Sequence, residues 1–599
     1  VRGGVYYTPD YIVDYIVKNT VGKLVEGKRP GPKGGVRNLK ILDPACGSGS
    51  FLIGAYQFLL DWHRDEYIND GPENWSKGKT PRIYQSQKGE WRLTTDERKR
   101  ILLNNIYGVD IDHQAVEVTK LSLLLKVLEG EDEQSIGKQM SWFQKRVLPD
   151  LSNNIKCGNS LIGPDFYDHQ QLNLFDDEEI YRVNAFDWNA EFSEIMNDGG
   201  FDVVIGNPPW GATFSKPEQY YLYENFDSAR GKNIDSYAVF AESALTKMLK
   251  FHGTLSFIVP DTFLRKGDYI QLRRLFLEKS TIEELIETGP VFSKVRDTWC
   301  LVFCLINRKP LEDNKIRHKK ISRFVVSVEE RLRKFGLGEW DVQNATSQCL
   351  WIKCPEMIIG YLTSEEAQRI ITKVELYPRL IDLADKYYIS RGEEGSKYAL
   401  KEDAKGDLNI VIPKDVNRYF VENGIKISSN NLTPQKIEAI YKHPKIWIIR
   451  IQKMRWKQRI VCSLDQRNNS AGMKTLQAIV SSTDDLENLK YLQGILASHL
   501  INFWCINYLA DDMNKSYLLQ LPIRPINFDD PADITRHNQM VSLVDQMLEL
   551  NKKLAESKMP QATEMLKRQI ESTDKQIDDL VYKLYDLTDE EIKIIESET

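Results

Sequence analysis

The chain has 599 residues, 42% of them hydrophobic and 28% charged, with 35 Gly, 23 Pro and a net charge of −6. Such a length exceeds a single ordinary core and requires two to four domains, while the composition excludes collagen-like and disordered classes. The longest strongly apolar run, Cys300 to Ile306, falls far below the roughly 18 residues of a membrane span, so no membrane segment is expected.

The amino terminus, Val1-Arg-Gly-Gly-Val-Tyr-Tyr-Thr-Pro9, has neither an initiator Met nor a signal pattern, and the sequence is expected to begin inside a longer gene product. A strand is expected over Asn38 to Asp43, then a Gly-rich turn and a helix from about Phe51 to His63. Residues 65–93 are polar, with scattered Gly and Pro, and read as a surface insertion. Thr94-x-x-Glu97 has the form of a capping box for a helix leading to the strand Ile106 to Asp110. Further strands are expected at Phe201 to Ile205, Gly253 to Val259 and Trp299 to Asn307, and the alternation with helical patterns predicts a layered α/β sheet. Residues 311–379 read as a connector with helical pieces, and 380–530 as a mixed domain of short strands. In the tail, Leu543, Met547, Leu550 and Leu554, then Ile570, Ile577, Leu580 and Leu584, keep heptad-like spacing on either side of Pro560, so 531–599 is expected to form a helical hairpin. Thr588-Asp-Glu-Glu591 caps a last short helix.

The eight cysteines, several in apolar runs, suit the reduced core of a cytoplasmic protein. Cys300, Cys304, Cys349 and Cys354 lack the paired C-x2-C form of a zinc site, and no metal is expected. The negative net charge opposes polyanion binding, but its distribution does not. Between Lys442 and Arg467 stand eight basic residues against the single acid Asp465, interleaved with Trp447 and Trp456. Cations mixed with flat aromatics suit phosphate contact plus base packing; a solvated strand face with two core tryptophans fits the same segment equally well.

Three stretches carry chemistry. Asp43-Pro-Ala-Cys-Gly-Ser-Gly49 joins a strand to a helix, and its glycines let backbone approach a ligand. No Gly-Lys-Ser/Thr follows, which excludes a P-loop, and Asp43 instead suits a cationic group such as an amino-acid ammonium. Asp110, in Gly108-Val-Asp-Ile-Asp112, stands at the end of the next strand, where an acid accepts hydrogen bonds from ribose hydroxyls. Ammonium plus ribose points to S-adenosylmethionine. The third stretch is Asn207-Pro-Pro-Trp210, delivered by the strand Phe201 to Ile205 to the carboxyl edge of the sheet. Two prolines fix the backbone and remove two N–H donors, leaving carbonyl acceptors. The Asn207 side-chain oxygen and the Pro208 carbonyl suit both hydrogens of one amino group, and Trp210 suits the ring that bears it.

Together, Tyr7-Thr-Pro9, the Asp43 to Gly49 loop, Gly108 to Asp112, Cys157-Gly-Asn-Ser-Leu161 and Asn207 to Trp210 resemble the ordered motifs of the gamma-class amino-group DNA methyltransferases, which modify adenine N6. The chain is most similar to the methyltransferase and specificity parts of type IIG restriction-modification enzymes, single chains with an amino-terminal nuclease. The resemblance implies a Rossmann-like, S-adenosylmethionine-dependent methyltransferase domain over residues 1–310, the connector 311–379, a mixed α/β DNA target-recognition domain over 380–530, and the hairpin 531–599. By position, Thr8 and Pro9 border the cofactor, Asp43 meets its ammonium, and Ala45, Cys46, Gly47, Ser48 and Gly49 form its loop. Asp110 holds the ribose, and Asn159 lies where many relatives have an Asp against the cofactor's adenine. Catalysis falls to Asn207, Pro208, Pro209 and Trp210, with Phe292 as a second aromatic against a flipped base; Tyr237 and Phe240 are expected in the core. The implied partner is double-stranded DNA, gripped through Lys445, Arg450, Lys453, Arg455, Lys457 and Arg459. A nuclease region upstream in the same gene product is compatible with this reading; the chain itself shows no convincing nuclease motif and is expected to modify without cutting.

Enzymes that methylate protein amides, RNA bases or cytosine N4 use similar motifs. The large basic, aromatic-bearing C-terminal part argues against a protein substrate, and Asn207 favours adenine. Pro-Cys does not occur, which excludes cytosine-C5 chemistry. A DNA specificity subunit with a dead methylase fold is the non-enzymatic alternative.

Overall fold

The computed structural model describes residues 8–31, 35–129, 148–168, 182–231, 233–292, 298–321, 327–352, 357, 359, 365–394, 405–450, 458–508 and 513–599. They fall into two compact units, Val1–Ile359 and Gly360–Thr599.

The first unit is built on nine strands: β1 Ile41–Asp43, β2 Ile106–Asp110, β3 Ile155–Cys157, β4 Phe201–Gly206, β5 Leu249–Pro260, β6 Thr281–Gly289, β7 Cys300–Ile306, β8 Lys315–Lys320 and β9 Val342–Ser347. Their order in the sheet is β9-β8-β6-β7-β5-β4-β1-β2-β3. Five neighbouring strands, β3 to β5 through β2, β1 and β4, run parallel; β7 enters antiparallel between β5 and β6. Parallel strands are covered on both faces by crossover helices, so they read as unbroken apolar runs. Accordingly Ile41, Leu42 and the run Val203 to Ile205 are fully buried. The alternation of a strand sends Ile41, Val203 and Ile205 to one apolar cluster and Leu42 and Val204 to the other.

The crossover helices include α1 Asp10–Val17, α2 Ser50–Asn69, α3 Thr95–Asn105, α4 His113–Leu128, α5 Lys216–Asn225, α6 Ser236–Ser243, α7 Ile270–Lys279 and α8 Val328–Leu337. The chain reverses its direction of growth at β1, which has β2 on one side and β4 on the other. A crevice opens at such a point beyond the carboxyl ends of the strands. The loops that leave β1 and β4 there are Pro44 to Gly49 and Asn207 to Phe214.

Several expectations are corrected. Residues 65–93 are no loose insertion: α2 runs on to Asn69, and a small hairpin pairs Ile83–Gln85 with Trp91–Leu93. Tyr67, Ile83 and Leu93 are buried, and the buried Glu97 collects the Tyr67 hydroxyl at 2.6 Å, Arg82 at 2.8 Å and Arg100 at 2.5 Å. Polar residues that look solvated in sequence thus satisfy one another inside. Thr94 caps α3 by accepting the Glu97 N–H, but the Glu97 carboxylate serves this cluster and the box is half formed. The first part of the expected connector, 311–359, belongs to the first unit, because β8 pairs with β6 and β9 with β8. The string Lys-Ile-Arg-His-Lys-Lys of β8 hides a strand behind its charge: Ile316 and His318 are buried while Lys315 and Arg317 are exposed.

In the second unit an antiparallel four-stranded sheet has the order Tyr387–Arg391, Leu476–Ser481, Lys445–Ile449, Cys462–Asp465. Trp447, Tyr441 and Ile449 lie in its core cluster. The helices Pro531–Glu556 and Pro560–Leu584 pack side by side, with Pro560 at the first helical position, where its missing N–H costs nothing. Thr588 and Glu591 form the complete capping box of the helix Asp589–Glu598. Among the described residues no helix is long and apolar enough to cross a membrane.

Helix α2 approaches α1 through Gly54, where an added Cβ would stand 2.5 Å from Val13 Cγ1. Helix propensity favours Ala over Gly by about 1 kcal/mol in a helix interior, whereas overpacking of this kind costs about 1–3 kcal/mol. Gly54→Ala is therefore expected to lower the unfolding midpoint in chemical denaturation, and Val13→Ala in the Gly54→Ala background to recover part of the loss.

Candidate functional site

The site begins where β1 ends. Asp43 is buried, and its Oδ1 accepts the Ala45 N–H at 3.0 Å. The register places Asp43 beside the end of β4, and a Cβ on Gly206 would lie only 2.7 Å from the same oxygen. Glycine is thus required at 206 by the carboxylate next door. Downstream, the loop is bolted to β2: the Cys46 N–H donates to the Val109 carbonyl at 3.0 Å and the Gly47 N–H to Asp110 Oδ2 at 2.8 Å. Thr119, on α4, donates to the Gly47 carbonyl at 2.8 Å and crowds Gly49, whose φ of +87° and room for no Cβ admit no other residue comfortably. At Gly47 a Cβ would meet nothing within 4 Å, so this side of the loop is open. Ser48 is exposed, while Ala45 is half-buried and Cys46 buried.

The electrostatics identify what this cradle lacks. Burial pushes the Asp43 carboxyl up to about 8, with the nearby Asp110 charge acting in the same direction. Asp110 is also raised, chiefly by burial, against the opposing hydrogen bonds from Asp112 and Gly47 N–H groups. The buried Asp43 and the half-buried Asp110 face one open loop, and no Lys or Arg of the described residues pairs with Asp43. An ammonium supplied from outside relieves such a site, and the residues fit the methionine end and ribose of S-adenosylmethionine.

Asn159 lies in the turn after β3. Its Oδ1 accepts the Leu161 N–H at 3.1 Å and its own N–H donates to the Asn184 carbonyl at 2.7 Å. The turn is tied to the first loop by Ser160, whose hydroxyl donates to the Pro44 carbonyl at 2.6 Å.

The loop after β4 brings the amino terminus into the site. Asn207 Nδ2 donates to Thr8 Oγ1 at 3.2 Å, which turns its Oδ1 to the other side. Thr8 is buried, and Pro9 stands at the cap of α1. Among the described residues nothing donates to Asn207 Oδ1 or to the Pro208 carbonyl. Trp210 meets Phe292 edge to face, with ring centroids 5.3 Å apart and planes at 81°. The two aromatics expected against one ring are thus neighbours, although 82 positions separate them. Tyr237 and Phe240 are buried on α6, as expected for core residues; the Tyr237 ring stacks on Tyr269 at 5.7 Å. No local spacing marks Thr119, Asp235, Ser236 or Tyr269, and Ser160 stands inside the motif Cys157-Gly-Asn-Ser-Leu161 with no role of its own assigned there.

The basic stripe needs correction. Lys445 is fully buried: its Nζ donates to the carbonyls of Tyr441, Arg467 and Ser470 and to Ser470 Oγ at 2.9 Å, and burial lowers it to about 8. Arg459 is buried too, its N–H on Asn502 Oδ1 at 2.6 Å. Neither side chain is exposed to solvent. Trp447 is likewise core, with its indole N–H on Asp465. The strand Lys445–Ile449 is buried on both faces, which draws part of the stripe inward. Arg450 is half-buried at the strand end, and Lys453, Arg455, Trp456 and Lys457 lie outside the described residues, as does Tyr7.

Residues 1–147 match the N-6 DNA Methylase family and residues 104–292 the Eco57I restriction-modification methylase family. The chain is 27% identical over 457 residues to the type II restriction enzyme and methyltransferase RM.Eco57I of Escherichia coli, covering 73% of this chain and 42% of the relative. It is 24% identical to a putative type II restriction enzyme and methyltransferase of Methanocaldococcus jannaschii, covering 92% and 56%. The chain thus spans about half the length of the curated relatives it matches. Among solved structures, the type IIL restriction-modification enzyme MmeI in complex with DNA shares the fold with a TM-score of 0.52 at 13% identity, covering 98% of this chain and 75% of that one.

A carboxyl raised from 3.8 to about 8 holds its proton in the folded unit over a range where the unfolded chain has lost it. Its burial therefore costs stability increasingly as pH rises from about 4 to about 8. Asp43→Asn is expected to raise the melting temperature of the ligand-free protein at pH 8 by on the order of a few degrees, with the gain vanishing near pH 4. The same variant is expected to lose the thermal shift that S-adenosylmethionine gives the parent chain, measured by scanning fluorimetry.

Proposed function

We propose that this chain, a homologue of the N-6 DNA methylases of restriction-modification systems, transfers a methyl group from S-adenosylmethionine to the N6 amino group of an adenine flipped out of duplex DNA. The observation that carries this reading is the pair of acceptors at the end of β4: Asn207 Oδ1 and the Pro208 carbonyl, beside the edge-to-face rings of Trp210 and Phe292.

When bound, the cofactor supplies an electrophilic methyl group on a sulfonium. Asp43 takes its ammonium, the backbone of Ala45 to Gly49 lies along its chain, Asp110 takes the ribose hydroxyls, Asn159 faces the adenine end, and Thr8 with Pro9 closes the border. Everything else falls to the chain's own groups. The lone pair of an adenine amino nitrogen is delocalised into the ring and attacks poorly. Asn207 Oδ1 and the Pro208 carbonyl accept the two amino hydrogens, favour a pyramidal nitrogen and stabilise the positive charge that grows on it, an oxyanion hole with the sign reversed. No base is needed before attack; the surplus proton leaves N6 after transfer. Thr8 holds the Asn207 amide in the orientation that leaves its oxygen available.

An adenine within a duplex cannot reach this loop, so extrusion precedes transfer, at a cost of a few kcal/mol. Stacking on Trp210 offsets roughly 1–3 kcal/mol of it. Residues 380–530 act as the target-recognition domain and 531–599 as its helical hairpin, with Arg450 and the basic residues at 453, 455 and 457 toward the phosphate backbone. These residues are assigned modification and not cleavage, as part of a restriction-modification system.

Incubation with unmethylated DNA of mixed sequence and S-adenosylmethionine carrying a deuterated methyl, followed by nucleoside mass spectrometry, tests the assignment. Labelled N6-methyladenine is expected; labelled N4-methylcytosine would overturn the base, and unlabelled DNA the substrate. Asn207→Ala is expected to lower the transfer rate by on the order of a hundredfold or more. Trp210→Ala is expected to reduce the fluorescence rise of 2-aminopurine placed at the target position.

A further inference from the structure

The loop that carries Asn207 and Pro208 is held from outside by two consecutive residues at the start of α6. Asp235 occupies the cap position of that helix, where an Asp ordinarily accepts N–H groups of its own first turn. Here it makes no such cap. Its Oδ1 instead accepts the Gly211 N–H at 3.1 Å, and its Oδ2 accepts the Tyr269 hydroxyl at 3.0 Å. Ser236, fully buried beside it, donates its hydroxyl to the Pro209 carbonyl at 2.5 Å and accepts the Ala212 N–H at 3.2 Å. Tyr269 is itself braced against Tyr237. Three residues of the loop, Pro209, Gly211 and Ala212, are thus fixed by two side chains that are 24 or more residues away in sequence.

The arrangement has a chemical consequence. Besides the Asn207 main-chain carbonyl, the sequence Asn-Pro-Pro offers three acceptors: the Asn207 amide oxygen and the carbonyls of Pro208 and Pro209. The prolines donate nothing, so neither of them can occupy any of these acceptors. The Ser236 hydroxyl occupies the third, which leaves the first two for the amino group. We infer that Asp235 and Ser236 are positioning residues for methyl transfer: they hold the loop so that two acceptors, Asn207 Oδ1 and the Pro208 carbonyl, face the amino nitrogen, and they keep the Pro209 carbonyl out of the reaction. The inference rests on the proposed adenine methylation. Displacing a reacting geometry by about 1 Å costs up to a hundredfold in rate, so loss of the clamp acts on the chemical step and leaves cofactor capture intact.

Two measurements on the full chain test this. Hydrogen–deuterium exchange reads the Gly211 and Ala212 amides directly and needs no activity. Ser236→Ala is expected to speed exchange of the peptide covering 207–214, with Asp235→Ala extending the effect, while the melting temperature and the S-adenosylmethionine thermal shift stay near those of the parent. In single-turnover methylation, Ser236→Ala is expected to lower the rate about 10- to 100-fold with little change in apparent DNA affinity, and Ser236→Thr, which keeps the hydroxyl, to recover most of it. Unchanged exchange in Ser236→Ala would overturn the clamp itself, and faster exchange with an undiminished rate would overturn its role in transfer. If the parent chain methylates no DNA at all, the proposed function falls, and the exchange result still decides whether the loop is held as described.

Discussion

The site depends on the parallel pairing of β1 with β4 at the point where the sheet changes its direction of growth. That pairing sets Asp43 against Gly206, one carboxylate oxygen filling the space a side chain would need. The cofactor-type acid and the amide loop are thereby neighbours through backbone register, with no dependence on flexible side chains. Strands β1 and β4 are buried on both faces, so a slip of register would move side chains fitted to one apolar cluster into the other.

Around this pair the site is assembled from contacts between loops. Gly47 bridges to Asp110, Ser160 to Pro44, Asn207 to Thr8, and Asp235 with Ser236 to the loop behind Pro208. Each contact joins segments that are separated along the chain and meet at the same edge of the sheet. Asp43 remains a buried acid with no Lys or Arg partner among the described residues, and nothing among them donates to Asn207 Oδ1 or the Pro208 carbonyl. Burial of the Asp43 carboxyl weakens the ligand-free unit as pH rises toward about 8.

The second unit shows how charge in a sequence misleads. The Lys442 to Arg467 segment reads as one basic face, yet the first strand of that segment, Lys445–Ile449, is buried throughout. Lys445 there is dissolved in backbone carbonyls and Ser470, a role indistinguishable by residue type from phosphate contact. The same ambiguity runs the other way in the first unit, where the charge-rich strand Lys315–Lys320 was hidden within an apparent connector.

Much was legible from the residues alone. The strands ending in Asp43, Asp110 and Ile205, the Gly-rich loop, the capped terminal helices and the Asn-Pro-Pro-Trp acceptors all follow from local rules, because turn chemistry, proline geometry and apolar runs act within a few residues of chain. Tertiary structure decided what lies opposite them: that Phe292 meets Trp210, that Thr8 orients Asn207, that Glu97 gathers Arg82, Arg100 and Tyr67 instead of closing its capping box, and that Ser236 occupies the Pro209 carbonyl. Such pairings are set by sheet order and helix packing across tens to hundreds of residues, and no spacing along the chain encodes them.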